Sequence, residues 1–231
     1  MADTFIDTYS ALDARMKLVD AIANNLANAN TTGFKRDFGR IYQGEIGYEA
    51  STQIDLSPGE VTATGNSLDV ALNGPGFFVI ETPEGQRYTR AGNFGLNAAG
   101  EIITKDGMRV LSTSDSPIAV GEGKIEIRDG GVVSVDGNEV GSLKVVILPD
   151  PAKIEKEGQT RFAWRGASNA VQTVSDPPVQ VGVLERANVN AIDEMVHLMS
   201  AYREFEAVQR SLKTMMSDMN SKLIQELGRL S

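Results

Sequence analysis

The chain contains no cysteine, a single histidine (His197) and a single tryptophan (Trp164), and aromatic residues make up only 6% of it. Without cysteine there is no disulfide, no thiolate metal site and no cysteine nucleophile. One histidine excludes a histidine-based catalytic triad and a multi-histidine metal centre. Positive charge is also scarce: the formal net charge is -9, which argues against a nucleic-acid binder. No apolar run approaches the roughly 20 residues of a membrane-spanning helix, so no membrane insertion is expected. The N-terminal MADTFIDTYSALDARMKL has neither a basic n-region nor an apolar h-region, so no cleavable secretory signal is expected.

The short motifs that hint at chemistry do not develop into sites. Gly74-Pro75-Gly76 is too short for a phosphate loop and lacks a following Lys-Ser/Thr pair. The Asp-Gly pairs lack the ligand series of a calcium loop. Glu204 and Glu206 fall on a solvated helix face, and cross-strand packing accounts for Tyr88, Arg90 and Phe94. The expectation is therefore no catalytic residue, no metal and no cofactor.

What is present is an ordinary globular balance, 41% hydrophobic and 23% charged over 231 residues. Residues 1–36 hold four acids and four bases, and residues 185–231 seven acids and six bases, which leaves -8 of the -9 to residues 37–184. Near-neutral ends suit close packing, and an acidic middle suits solvent.

The two ends are helical by periodicity. Phe5, Leu12, Val19 and Leu26 recur every seven residues, with Tyr9, Met16 and Ala23 as a second row, on a helix about 25 residues and roughly 40 Å long. Asp3 or Thr4 is its expected N-cap. Asn24, Asn25, Asn28 and Asn30, with Thr31 and Thr32, supply side chains that bond to nearby backbone, and either Gly33, which can take the left-handed conformation that ends a helix, or Asn28 or Asn30 a little earlier is the expected end. At the far end Leu198, Phe205, Leu212 and Met219 repeat every seven residues, with Ala201, Val208 and Met215 behind them. Ile192, Met195, Met199 and Tyr202 widen this row, and Leu223, Leu227 and Leu230 continue it with a phase shift. Asn190 is the expected N-cap of a helix of about 40 residues, roughly 60 Å long.

Between the ends the period is two. Residues 37–66 read as an extended linker with a turn at Pro58-Gly59. From Ser67, strands are expected at Gly76–Glu81, Gln86–Arg90, Glu101–Thr104, Met108–Leu111, Lys124–Ile127, Val132–Val135, Leu143–Leu148, Arg161–Trp164 and Val179–Leu184. Asp106-Gly107, Asp129-Gly130 and Asp136-Gly137 mark turns between them. The fold class is α+β and discontinuous: residues 1–36 plus 185–231 pair as a coiled-coil helical assembly domain, 37–66 link, and 67–184 form an antiparallel sandwich or barrel-like β domain. A small β domain cannot cover the long C-terminal apolar face, which favours further copies of the chain as partners. A β domain that binds a carbohydrate or peptide, with helices that merely dimerise it, is the alternative.

Three blocks then bear on one family: NNLANANTTGFKR over Asn24–Arg36, LDVALNGPGFFVIETPEGQRYTRAGNFGLNAAGEIIT over Leu68–Thr104, and a third over Glu185–Leu230 with Ala187-Asn188-Val189-Asn190, Glu194-Met195-Val196 and Tyr202-Arg203-Glu204-Phe205-Glu206-Ala207. In this order they resemble the bacterial flagellar basal-body rod and hook family. The resemblance implies a structural axial subunit, exported unfolded by the flagellar type III apparatus and polymerised with other rod proteins into a tube crossing the periplasm. Its terminal segments would form the inner coiled-coil domain. It implies an assembly role for Asn25, Leu26, Asn28, Gly33, Phe34, Glu194, Met195, Val196, Arg203, Phe205 and Glu206, beside Leu12, Val19, Leu212 and Met219 of the heptad rows. The short stretch from Asp37 to Ser67 favours a proximal over a distal rod type.

Overall fold

An alanine-rich first helix, free of glycine and proline, runs over Ala2–Ala27 (α1) in a computed structural model that describes residues 2–121 and 123–227. A hairpin follows, of strands Asp37–Gln43 (β1) and Tyr48–Ile54 (β2), and a second helix, Ala191–Leu227 (α2), is the last described element. These elements form one of two units. The expected position Leu230, and the side chains of Leu223 and Leu227, lie outside the residues and side chains described; α1 already includes Asp3 and Thr4, so neither is its N-cap as expected.

The helices run antiparallel. Thr8 Oγ1 donates to Met215 Sδ at 3.6 Å, and about two turns further along α1 and three back along α2 Arg15 is ion-paired with Glu204. The hairpin lies along another face of α1. Asp37 bonds to Asn25, Gly39 leaves room for the Leu18 side chain, and Tyr48 N donates to Ser10 Oγ at 2.8 Å. The buried face of α1 is therefore Ala14, Ala21, Ile22 and Asn25. This corrects the expected second row: Tyr9 and Met16 are 61% and 54% exposed, and Ala23 is exposed too. Two partners on adjacent faces replace the single seam that a heptad count assumes. Small alanines admit the neighbouring backbone where large side chains could not.

Asn190 caps α2, its Oδ1 accepting from Ile192 N at 3.0 Å, and Asp193 and Glu194 occupy the first turn. The stretch expected as an extended linker carries the β1–β2 hairpin instead.

The second unit comprises Asn28–Arg36 and Ile54–Val189. Its first strands are Val61–Ala63 (β3), Val70–Leu72 (β4), Phe77–Thr82 (β5), Gly85–Thr89 (β6), Gly95–Leu96 (β7), Ile102–Ile103 (β8), Arg109–Val110 (β9) and Ile125–Ile127 (β10). Then come Val132–Val135 (β11), Asn138–Ser142 (β12), Val145–Ile147 (β13), Ile154–Glu157 (β14), Arg161–Trp164 (β15), Gln172–Thr173 (β16), Val179–Val181 (β17) and Val183–Glu185 (β18). All described pairings are antiparallel. The largest sheet has nine strands, along the order β14-β15-β6-β5-β9-β8-β7 with β13 and β16 to the side. The single strand expected over Val179–Leu184 is two strands, which pair with β4 and β3 respectively.

Strand β5 sits at the centre and is buried on both faces, as its unbroken run of apolar residues requires. Phe78 and Ile80 face a core with Val70, Leu143 and Val145; Phe77 and Val79 face a second with Tyr88, Val146 and Phe162. Phe78–Phe94 and Phe77–Phe162 pack edge to face, with ring centres 5.3 and 5.4 Å apart. Between β11 and β12 the turn at Asp136-Gly137 has both residues at positive φ, 48° and 84°, the type I′ geometry that Asp-Gly favours in a tight hairpin.

Candidate assembly site

The chain passes between its two units four times, at Ala27/Asn28, Arg36/Asp37, Gln53/Ile54 and Val189/Asn190. One of these passages falls within the Asn-rich block and one at its end, so its residues divide between the units at Ala27/Asn28. Asn25 is buried on α1 and its amide bonds to the backbone of Asp37 like a strand partner: Nδ2 donates to Asp37 O at 2.6 Å, and Oδ1 accepts from Asp37 N at 2.8 Å. The helix ends at Ala27, and Thr31 N donates to Asn28 O at 2.9 Å in the turn that follows. The helix thus stops at Asn28, the earlier of the expected ends, and not at Gly33. The Gly33 φ of 68° lets that residue lie against the Arg90–Ala91 backbone, where a Cβ would stand 2.3 Å from Ala91 N. Gly33 N donates to Glu185 O at 2.8 Å.

Residues 28–36, grouped with the helices by sequence, thus belong to the β unit, and a buried charge cluster fixes them there. Lys35 Nζ donates to Glu185 Oε1 and to Ser57 O, each at 2.6 Å, and both charged side chains are 1% exposed. Gly59 N donates to the same carboxylate oxygen at 3.0 Å, and Arg90 Nη1 reaches the other oxygen at 3.4 Å. Arg90 Nη2 donates to Gly74 O at 2.7 Å, and the guanidinium stands 5.5 Å from the Phe77 ring centre. Burial pushes both the Lys35 ammonium and the Arg90 guanidinium down from their ordinary values, against the pull of Glu185. Phe34, fully buried, lies under the Lys156 ammonium at 3.8 Å, and Lys156 Nζ donates to Lys35 O at 2.6 Å. Asn188 completes the fastening: Oδ1 accepts from Arg36 N at 2.8 Å, and Nδ2 donates to Asp55 O at 2.8 Å.

Sequence reading missed this cluster. Lys35 and Arg36 read only as the end of the Asn-rich block, and Arg90 as part of cross-strand packing. The available signal was a cation directly after the buried Gly-Phe pair. Its acid partner stood 150 residues away, and no local pattern could supply it.

The remaining expected assembly residues fall into two groups. Leu12, Val19, Leu26, Phe205 and Leu212 are half-buried, and Glu194 is buried. Met195, Val196, Arg203, Glu206 and Met219 are exposed. Around Val196, which is 55% exposed, lie Ile192, Met199 and Tyr202, all more than half exposed, on the first three turns of α2. Among the described residues no group of His, Asp and Glu could hold a metal, and no helix is long and apolar enough to cross a membrane.

A β body that holds residues 28–36 and 185–189 within itself, joined in sequence to long helices that leave apolar side chains open, defines a structural assembly subunit. Comparison with known proteins agrees along the whole chain. Residues 9–35 match the flagella basal body rod protein family, 71–143 the flagellar hook protein FlgE/F/G D1 domain, and 180–226 the flagellar basal body rod FlgEFG protein C-terminal region. The chain is 31% identical to the flagellar basal-body rod protein FlgF of Caulobacter vibrioides, over 96% of its own length and 98% of the relative's. It is 30% identical to FlgF of Mesorhizobium japonicum over 95% and 97% of the two chains, and 29% identical to FlgG of Bacillus subtilis over 92% of each. The chain belongs to the flagellar basal-body rod protein family, whose members are structural parts of the flagellum and not enzymes.

Proposed function

We propose that the chain is a proximal-rod subunit of the FlgF type. In this reading α1 and α2 form a coiled-coil assembly domain that packs against copies of itself and other rod proteins, and the subunit reaches its periplasmic position unfolded through the flagellar type III export apparatus. The observation that carries the proposal is the open apolar face of α2. Ile192, Met195, Val196, Met199 and Tyr202 recur at three- and four-residue spacing, and neither α1 nor the hairpin covers them. A row of this kind is an interaction surface, because water leaves it only when a partner arrives. Half-buried Leu12, Val19, Leu26 and Leu212 belong to the helix pair itself, exposed Met219 extends the open surface along α2, and Arg203 and Glu206 supply charge.

Val196→Asp and Met199→Asp test this. Each is expected to leave the monomer as stable as wild type and to abolish rod assembly and motility. Full motility in both variants overturns the assignment. The distal FlgG type is the second reading, favoured by the match to Bacillus subtilis FlgG. Complementation separates the two: a FlgF-type subunit restores motility to a strain lacking its FlgF and not to one lacking its FlgG.

A further inference from the structure

Asn30, Thr31 and Thr32 follow the turn after α1 but take no part in the buried charge cluster. They form one wall of a cleft of about 240 Å3 in the β unit, over a floor that includes the buried Thr89 and Ala91. Lys105 and Arg161 stand on its rim. Among the described residues neither has an ion-pair partner, whereas most other cations of this unit do. Glu157, which faces Arg161 across the β14–β15 pairing, is held by Arg87 at 2.5 Å. Asp106 also lines the cleft, so two cations and one carboxylate leave a rim charge of +1 in a unit that is otherwise acidic.

The floor is already satisfied: Thr89 Oγ1 donates to Thr160 O at 2.8 Å and accepts from Ala91 N at 3.0 Å. The open hydrogen-bonding capacity lies in the ammonium of Lys105, the guanidinium of Arg161 and the side chains of Asn30 and Thr32. Convergent cationic and neutral donors around a hollow of this size match a carboxylate. The β unit, residues 28–36 and 54–189, holds 18 acids and 14 bases, so the β unit of a second copy presents such groups. One is Glu139, which sits exposed at the β11–β12 turn and has no ion-pair partner among the described residues.

We propose that this cleft receives an acidic side chain from an exposed turn of the β unit of a second copy. Cleft on one copy and turn on the next make a heterologous contact, which propagates along a polymer instead of closing a dimer. The inference rests on the reading of the chain as a rod subunit. It adds to the helical face a second, polar contact that selects the register of neighbouring copies.

Zero-length carbodiimide coupling of assembled rods, read by mass spectrometry, tests it. An isopeptide between Lys105 and an acid of the β unit, seen in rods and missing from dilute monomer, is expected. Arg161→Gln should cut its yield about tenfold while leaving monomer unfolding unchanged. If Lys105 stays unlinked in rods while Lys124 couples, the proposal is overturned. It is also overturned if acetate titrated into monomer shifts the Thr32 and Lys105 amide resonances at millimolar concentration and no link forms in rods, since the site then takes a free small carboxylate. If the wild-type chain never enters rods, the rod reading fails by itself. The cleft is then judged on concentrated monomer, where a Lys105-linked dimer supports it and the absence of one overturns it.

Discussion

Lys35 Nζ and Glu185 Oε1 lie 2.6 Å apart, though 150 residues separate them in sequence and water reaches almost none of either side chain. Two charges taken from water are costly, and their attraction offsets that cost only while both are present. Glu185→Gln strands two cations, Lys35 and Arg90, and is expected to cost about 5 kcal/mol, the upper end for breaking a buried pair. Lys35→Met leaves Glu185 with Arg90 and the Gly59 N–H, and is expected near 3 kcal/mol. Urea unfolding of the full chain, followed by the fluorescence of Trp164 in the β unit, measures both. A loss under 1 kcal/mol for Glu185→Gln would show that the cluster does not hold residues 28–36 in the β unit.

Gly33 and Gly137 both adopt positive φ, 68° and 84°, but only Gly33 has backbone where a side chain would go. Gly137→Ala is expected to cost about 1 kcal/mol, the left-handed penalty alone. Gly33→Ala adds a clash with the Arg90–Ala91 backbone and is expected to cost about 3 kcal/mol or more. Thermal unfolding of the pair decides between conformational preference and close approach. Equal losses would mean that the chain at Gly33 can move away from Ala91.

How much of this was legible follows from the range of each signal. The α2 helix, its Asn190 cap, the doubly buried β5 and the Asp136-Gly137 turn are local patterns, and sequence placed them correctly. The hairpin was hidden because Gly39, Gly44 and Gly47 lie where α1 or the turn leaves no room for side chains, so no alternation shows. Lys35 with Glu185 and Asn188 with Arg36 are long-range pairings, and a lysine that will be buried looks in sequence like one that will not.

Arg87 Nε and Glu157 Oε2 are joined across the β6–β15–β14 sheet at 2.5 Å, and the Arg87 hydrogen bond holds the Glu157 carboxyl below its ordinary value of 4.5. A depressed carboxyl contributes stability that is fully present above the unfolded value and is lost as pH falls through the folded one. The stability difference between wild type and Arg87→Met should therefore stay level from pH 8 to about pH 5 and shrink as the pH drops further below about 4.5. Urea midpoints at four or five pH values check this. A difference that persisted unchanged at about pH 3 would assign the effect of Arg87 to packing.

Asn25 supplies the last prediction, because its amide does for Asp37 what a neighbouring strand would do. It gives one donor and takes one, at 2.6 and 2.8 Å, from a buried position on α1. Asn25→Asp keeps the size and the acceptor but loses the N–H to Asp37 O, and places a carboxylate against a carbonyl. Asn25→Ala loses both bonds. A buried bond removed on one side costs about 1–3 kcal/mol, so both variants should destabilise the α1–hairpin unit, the aspartate at least as much as the alanine. Hydrogen exchange localises the effect. The amides of β1 should exchange at least about tenfold faster in each variant, which is the 1.4 kcal/mol factor, while those of β5 in the other unit stay protected. Faster exchange in β5 as well would mean that Asn25 supports the β body, and the division of the Asn-rich block between the two units would have to be redrawn.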